Sequence, residues 1–305
     1  MKTSTIWWSR LLVVVTCIGL TNGMSARADL LFPNFASTSG LTLVGSATQV
    51  SKLVRLTPEV SEQAGGLWAT TPQLVAGGFE TSFVFKMYGG VNRSDGMAFV
   101  IRNDGATTLA GAGGRLGYGG FGDELIGIPN SLAIEFDTFQ NSENNDPSSN
   151  HVSVHSRGVL ANSANELYSF GAASPASYLL ANGVPHLATI LYTPGTLSVF
   201  VDDLGTPLLE VNVDLTTLLQ IPDGTATVGF TAGTGGGNQN HEVINWSYQA
   251  IPEPSTLMLG LLTGLSGMPW LMRRNVIRTS SAAAGPTVPE RTPRESASLL
   301  LPDAA

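Results

Sequence analysis

Residues 135–151 read EFDTFQNSENNDPSSNH and concentrate side chains that bind metal ions. Side chains two positions apart on a strand point to the same face, so Glu135 and Asp137 lie side by side. Two adjacent carboxylates repel each other unless a positive charge lies between them. The following loop adds Asn141, Asp146 and His151. Oxygen ligands suit Ca²⁺, whereas a mixed carboxylate and imidazole set suits Mn²⁺ or a similar transition metal, so the segment predicts a compact site for one or two ions.

The composition of the chain favours β structure. Its 305 residues are 43% hydrophobic and only 12% charged, and they include 35 glycines, which is typical of a β-sandwich. Residues 29–250 hold 19 acidic and 7 basic side chains, a net charge of −12. Because such a domain lacks a basic surface, we predict no nucleic-acid partner. Bound cations and the solubility of a secreted domain explain the acidity equally well.

Residues 41–248 contain many short apolar or β-branched runs separated by turn residues. The sequence TPGT at 193–196 predicts a hairpin turn. More than ten strands in about 220 residues predict an all-β fold of two large antiparallel sheets packed face to face. The predicted strands are Thr42–Val50, Phe79–Met87, Met97–Arg102, Leu132–Phe139, Val152–His155, Thr189–Tyr192, Leu197–Asp202, Leu208–Val213, Thr227–Thr231 and Val243–Tyr248.

The first 28 residues predict a secretory signal peptide. Lys2 and Arg10 precede the apolar run 11–20, and Ala-Arg-Ala at 26–28 supplies a small-x-small cleavage site before Asp29. The alternative is a buried N-terminal helix. The chain's single cysteine, Cys17, lies in this run, so the exported product would contain no disulfide and would depend on a metal or a large core for stability.

The C-terminal region predicts membrane association. Pro-Glu-Pro at 252–254 precedes 18 uncharged residues, 255–272, and the pair Arg273-Arg274. That length just suffices for a transmembrane helix with the arginines on the cytoplasmic side. The pattern resembles the PEP-CTERM sorting signal of Gram-negative bacteria, which implies processing by an exosortase-type enzyme, transient membrane anchoring, and a final location in the cell envelope or extracellular matrix. We therefore assign 251–274 to this signal and 275–305 to a disordered tail, with an ordinary anchor helix as the alternative.

The stretch from about residue 35 to residue 248 resembles legume-type (L-type) lectins of the concanavalin A-like class. That family has a strand E-x-D-x-(aromatic)-x-N, then a D-P loop and a histidine, and residues 135–151 match this spacing. The resemblance implies a concanavalin A-like jelly-roll β-sandwich over residues 29–250. It further implies a transition-metal ion, Mn²⁺ or another, bound by Glu135, Asp137, Asp146 and His151. The Ca²⁺ ligands that it implies are Asp137, the backbone carbonyl of Phe139, Asn141 and Asp146.

Two further segments resemble the family's sugar site. Residues 94–99, SDGMAF, match the strand start (A/S)-D-G-(hydrophobic)-A-F, in which the aspartate, here Asp95, follows a cis peptide bond and accepts hydrogen bonds from sugar hydroxyls. Residues 113–118, GGRLGY, match a glycine-rich loop whose backbone N–H reaches the sugar, which implicates Gly113 and Gly114. Residues 232–241, AGTGGGNQNH, fall where the family has its variable specificity loop.

The side chains also suit a sugar on chemical grounds alone. A sugar presents vicinal hydroxyls and a patch of C–H surface. Asp95 can accept two hydroxyls, Asn141 can donate and accept, and Phe139 can pack on the C–H face. We therefore predict an exported, metal-dependent carbohydrate-binding protein whose partners are glycans or exopolysaccharide.

Other functions stay open at this stage. One is a structural or adhesive envelope or matrix protein that keeps the sandwich without sugar binding. The chain could also form a homo-oligomer through a sheet face, whichever function it has. Another is a laminarinase-like glycoside hydrolase, whose motif E-x-D-x-(x)-E places two carboxyl groups about 5–5.5 Å apart. Phe139 and Gln140 stand where the second glutamate is needed, and Glu143 lies too far along the loop. We therefore predict that the protein is not an enzyme.

Three histidines outside this motif are interpreted as structural. His155 is expected to be a partly buried strand residue and not a ligand. His186 and His241 are expected to be structural or surface residues.

Overall fold

The computed structural model describes residues 30–251, which form two antiparallel β-sheets packed face to face. The predicted all-β sandwich is therefore confirmed. The strands are β1 (Leu30–Phe32), β2 (Leu41–Gly45), β3 (Thr48–Val50), β4 (Leu53–Thr57), β5 (Gln63–Ala69), β6 (Gln73–Leu74), β7 (Phe79–Val91), β8 (Gly96–Arg102), β9 (Ser131–Asp137), β10 (His151–Ser156), β11 (Ser169–Ala173), β12 (His186–Thr193), β13 (Gly195–Val201), β14 (Leu209–Val213), β15 (Thr225–Thr234) and β16 (Asn238–Ala250).

Helical structure in this part of the chain is short. It consists of one α-helix, α1 (Leu215–Leu218), and the 3₁₀ turns Gly113–Arg115, Ser142–Asn144 and Glu166–Tyr168. No helix within residues 30–251 has the length and apolar character needed to cross a membrane. The predicted signal peptide, the tail and all of the predicted sorting signal except Ile251 lie outside the described residues.

The two sheets have long-range strand orders that bring distant parts of the chain together. One sheet, here called the site sheet, runs β11-β10-β9-β8-β15-β5-β2, with β6 paired to β15. The opposite sheet runs β14-β13-β12-β7-β16-β4-β3, with β1 paired to β16. The strands β8, β9 and β10 are neighbours in the site sheet. Residues near 95, 137 and 151 therefore meet at the same end of these strands.

An aromatic core lies between the sheets. Phe83 from the opposite sheet meets the edge of Phe230 from the site sheet at 4.8 Å between ring centroids, and Phe230 meets Trp246 at 5.1 Å. Edge-to-face packing of this kind adds to the stabilisation from apolar burial. The core face of β9 consists of Leu132, Ile134 and Phe136. The alternate residues, including Glu135 and Asp137, therefore face away from the core, as the strand periodicity predicted.

A second apolar cluster covers the outer face of the site sheet. Trp68, Ala98 and Ala133 on the strands pack against Leu116 and Tyr118, which lie between β8 and β9 in the chain. This cover explains why β8, β9 and β10 are buried along their whole length. Polar side chains on that face are consequently held in a dry environment.

Some predicted boundaries need correction. The predicted strand 42–50 is two strands in different sheets, because the chain turns at Gly45, whose φ of +64° favours glycine. Most of the predicted loop 232–241 belongs to β15 and β16, and only residues 235–237 connect them. The hairpin turn at 193–196 is confirmed, since Thr193 pairs with Thr196.

Candidate functional site

Strand register gathers the predicted metal-binding side chains on the outer face of the site sheet. In the pairing of β9 with β10, Asp137 lies opposite His151 and Glu135 lies opposite Ser153. Ligand atoms of Glu135, Asp137 and His151 lie within 4.8 Å of one another, as do those of Asp146, His151 and Glu166. The four residues predicted for the transition metal thus fall in two groups that share His151, one with Glu135 and Asp137 and the other with Asp146.

The loop after β9 folds around its own carboxylates. The backbone N–H of Phe139 donates to Asp137 Oδ1 at 2.8 Å, and that of Asn141 donates to Asp146 Oδ2 at 2.6 Å. The Asn144 side chain donates to the Gly114 carbonyl oxygen at 2.9 Å. The first two bonds join predicted Ca²⁺ ligands to each other, and the third joins the same loop to the glycine-rich loop.

The cluster is electrostatically unfavourable without a cation. Burial and the neighbouring carboxylates Asp146 and Glu135 raise the pKa of Asp137 well above its usual range. Burial also raises the pKa of Asp146 to about 7, despite the Asn141 amide that favours the charged form. A bound divalent cation would relieve both penalties, because it favours the ionised carboxylates.

Three residues of the cluster were not assigned to it from the sequence. Tyr118 and Ser153 hydrogen-bond to the two carboxylate oxygens of Glu135, with Ser153 Oγ at 3.0 Å from Oε2. Glu166 Oε1 lies 3.2 Å from His151 Nε2 and 3.5 Å from His155 Nε2. No motif spacing indicates Glu166, since it reaches the site through an irregular connection between β10 and β11.

The environment of His155 differs from the prediction. It is fully buried, whereas a partly buried residue was expected, and its Nε2 lies 3.3 Å from Glu135 Oε2. Burial alone would lower the pKa of His155, but the charges and hydrogen bonds of Glu135 and Glu166 raise it to about 10.

The other two histidines are structural. His186 is buried, stacks on Tyr178 at 5.2 Å between ring centroids, and lies 2.6 Å from Asp202. His241 is fully buried between Thr57 and Gln239. Burial lowers the pKa of His241 to about 3, so the neutral imidazole persists at physiological pH.

All five residues predicted to contact sugar line a single open pocket of about 390 Å³ beside the acidic cluster. These residues are Asp95, Gly113, Gly114, Phe139 and Asn141. The structure adds Glu62, Phe121 and the connection 235–237 to its walls. Phe121 is held by Arg115, whose guanidinium lies 3.8 Å from the ring centroid. A larger open cavity of about 700 Å³ adjoins it and shares Asn92 and Phe139.

Two residues that line this pocket, Asp95 and Asn141, each have a buried polar atom. Among the described residues, neither Asp95 Oδ2 nor Asn141 Oδ1 has a hydrogen-bond partner of normal geometry. The Ser94–Asp95 peptide bond is cis, as the resemblance implied. Burial raises the pKa of Asp95 to about 6, an effect partly offset by the neighbouring Gly235 amide. An added Cβ at Gly114 would lie 2.6 Å from Asn141 Cγ, so a larger residue there would displace the Asn141 side chain.

The two-sheet sandwich, with its acidic cluster and the adjoining glycine-lined pocket, defines a lectin-like domain. The sequence matches the family model for the legume lectin domain over residues 27–258. The chain therefore belongs to the legume lectin family.

Curated relatives support this assignment. The galactose-binding lectin of Arachis hypogaea is 30% identical over 193 residues, which cover 60% of this chain and 63% of that protein. Agglutinin-2 of Cladrastis kentukea is 29% identical over 235 residues, covering 74% and 73% respectively. A probable L-type lectin-domain containing receptor kinase, VII.2 of Arabidopsis thaliana, is 30% identical, and the match spans about a third (34%) of its length.

Solved structures show the same fold. The metal-free form of lectin I-B4 from Griffonia simplicifolia superposes with a TM-score of 0.62 at 21% identity, covering 74% of this chain and 100% of that one. Peanut lectin, solved with a nine-residue peptide, gives a TM-score of 0.60 at 26% identity, covering 73% and 97%.

Proposed function

We propose that this chain is an exported carbohydrate-binding protein whose glycan site is organised by Ca²⁺ and a transition-metal ion such as Mn²⁺. The observation that carries the proposal is the convergence of all five predicted sugar-contacting residues on one open pocket next to the buried acidic cluster. Relatives with similar sequences are named galactose-binding lectin and agglutinin.

The residues present suit both ions. Asp137, Asp146 and Asn141 supply hard oxygen donors for Ca²⁺, and Asn141 Oδ1 is buried without another partner within residues 30–251. Glu135 and His151 add the carboxylate and imidazole donors that suit a transition metal. The ions would supply positive charge to these carboxylates and hold Asn141 in place.

Sugar recognition would then depend on the pocket's own groups. Asp95 accepts hydrogen bonds from two hydroxyls, Asn141 adds a donor, and the half-buried ring of Phe139 packs against the C–H face of the sugar. The glycines allow the sugar to approach the backbone closely. Because bound metals would hold Asn141 before the sugar arrives, less conformational entropy would be lost on binding.

Export and attachment belong to the same proposal. The predicted signal peptide directs the chain out of the cytoplasm, and the sorting signal anchors it in the membrane until an exosortase-type enzyme processes it. The partner would be a glycan or exopolysaccharide of the cell envelope or extracellular matrix.

The decisive experiment is a glycan array probed with the full chain in Ca²⁺ and Mn²⁺, and again in excess chelator. We expect binding that requires the metals and is lost in Asp95→Ala, while the metal-dependent melting temperature of that variant stays within about 2 °C of the parent. Glycan binding by Asp95→Ala at parental affinity would disprove the site assignment. Absence of any glycan binding, together with attachment to proteins, would support the adhesive function instead.

A hydrolase assay tests the remaining alternative. Glu135 is buried, and both of its oxygens are engaged by Tyr118 and Ser153, so this carboxylate does not face the open pocket. We expect no hydrolysis of β-glucans by the parent. Hydrolysis that disappears in Glu135→Gln would restore the laminarinase-like function.

A further inference from the structure

Glu166 brings a fourth carboxylate to the metal cluster. Its side chain is 12% exposed, and its Oε1 lies 3.2 Å from Nε2 of His151, whose side chain is fully buried. Ligand atoms of Asp146, His151 and Glu166 all lie within 4.8 Å of one another. Glu166 therefore shares one group of ligand atoms with two of the residues predicted to hold the transition metal, Asp146 and His151, and another with Glu135 and His155.

The hydrogen bonding of His151 identifies the ring nitrogen that faces Glu166. Its Nδ1 lies 2.8 Å from the carbonyl oxygen of Ser148, and a carbonyl only accepts, so Nδ1 carries the proton. In the neutral ring, Nε2 then presents a lone pair to Glu166. Neither His151 Nε2 nor Glu166 Oε1 has a hydrogen-bond partner of normal geometry in the described part of the chain. Two such acceptors facing each other in a buried site require a proton or a cation between them.

We propose that Glu166 is a further protein ligand of the transition-metal ion, beyond Glu135, Asp137, Asp146 and His151. This proposal rests on the metal site of the proposed function. Metal bonds from nitrogen and oxygen are about 2.0–2.2 Å long, so two ligand atoms on one ion lie about 3 Å apart. The 3.2 Å separation of His151 Nε2 and Glu166 Oε1 fits that spacing.

Neighbouring side chains hold Glu166 in position. Asn165 donates to the Glu143 carbonyl oxygen at 3.0 Å and accepts from the Asn145 side chain at 3.0 Å, which ties the Glu166 segment to the metal loop. His155 Nε2 lies 3.5 Å from Glu166 and 3.3 Å from Glu135. His155 is thus a positioning residue for two carboxylates of the site.

The test compares Mn²⁺ binding by the full chain and by Glu166→Gln, with Ca²⁺ present throughout. We expect the dissociation constant for Mn²⁺, measured by calorimetry, to rise in Glu166→Gln by more than the roughly 10–100-fold that follows the loss of a residue that only supports a ligand. The electron paramagnetic resonance spectrum of bound Mn²⁺ should change as well. Glu80→Gln is the matched control, because Glu80 is exposed on the opposite sheet, and it should behave as the parent does.

Unchanged Mn²⁺ affinity and spectrum in Glu166→Gln would overturn the proposal and leave Glu166 as an ion-pair partner of the histidines. A parent chain that binds no transition metal would overturn both this proposal and the metal site of the proposed function. If Glu166→Gln does not fold, the parent protein still provides a test. Broadening of its Mn²⁺ spectrum in ¹⁷O-water gives the number of water molecules bound to the ion. One coordinated water supports five protein ligands around a six-coordinate ion, and two waters contradict them.

Discussion

The backbone N–H of Asn141 donates a 2.6 Å hydrogen bond to Asp146 Oδ2, which joins a predicted metal-binding carboxylate to a residue that lines the candidate sugar pocket. Asp146 itself does not line that pocket. Any effect of Asp146 on sugar binding must therefore pass through the metals or through the conformation of the loop.

Asp146→Asn should separate these contributions. We expect Ca²⁺ affinity to fall at least about tenfold and glycan affinity to fall with it, because one charged ligand is lost while the side-chain shape is kept. The measurements are calorimetric titrations with Ca²⁺ and with a glycan found on the array. Asp203→Asn, a change at an exposed carboxylate far from the pocket in the chain, should leave both affinities unchanged.

The stability of metal-free Asp146→Asn gives a second prediction. The pKa of Asp146 is raised to about 7 in the folded state, so its favourable contribution is complete below about pH 4 and is lost as the pH rises through 7. Metal-free Asp146→Asn should therefore be at least as stable as the metal-free parent at pH 8. Urea unfolding in excess chelator tests this, and a less stable variant would contradict the sign.

Chelation of the parent should lower its melting temperature. An ion present at 100 times its dissociation constant adds about 2.7 kcal/mol when it binds only the folded state, which corresponds to roughly 5–10 °C for a domain of this size. Calorimetric scans with Ca²⁺ and Mn²⁺, and with excess chelator, provide the comparison. Identical scans would count against metal binding by the folded domain.

Gly114→Ala should weaken glycan binding by displacing Asn141. The added methyl group would lie 2.6 Å from Asn141 Cγ, so Asn141 must leave the position proposed for its contacts with Ca²⁺ and with the sugar. We expect about a tenfold loss of glycan affinity with the fold retained, as measured by calorimetry and circular dichroism. Gly205→Ala is the control, since the nearest atom to its new methyl group is the flexible Asp203 side chain at 3.2 Å.

The clustering of Glu135, Asp137, Asp146 and His151 was largely predictable because these residues are close in sequence. The i, i+2 spacing of Glu135 and Asp137 places both on one strand face, and the short loop to His151 limits how far away the other side chains can be. The sandwich was predictable for a similar reason, since alternation and turn residues are local signals. The long-range strand orders were implied only by the family resemblance.

The position of Glu166 and the burial of His155 both depend on the path of the irregular segment between β10 and β11. The chain between β10 and β11 packs over the outer face of the site sheet, where the Asn162 side chain donates to the Ser131 and His155 carbonyl oxygens. That packing brings Glu166 back to the cluster and shields His155 from water. Neither consequence follows from strand periodicity, because an irregular segment has no repeating pattern from which its path can be read.

His241 should make stability depend on pH below neutrality. Gln239 donates to its Nε2 and Thr57 contacts its Nδ1, so the neutral ring is satisfied, and burial lowers its pKa to about 3. In the unfolded chain the histidine protonates near pH 6.5. The unfolded state therefore binds more protons between pH 6.5 and 3, and the contribution of neutral His241 to stability is lost as the pH falls through that window.

The expected slope from this one residue is about 1.4 kcal/mol per pH unit well below pH 6.5. Asp95 and Asp146 have raised pKa values and act in the opposite direction, so the difference between the parent and His241→Gln isolates the histidine. Urea unfolding of both proteins at pH 7, 6 and 5, with the same metals present, should show the stability advantage of the parent shrinking as the pH falls. A difference that stays constant across this range would show that His241 does not remain neutral in the folded protein.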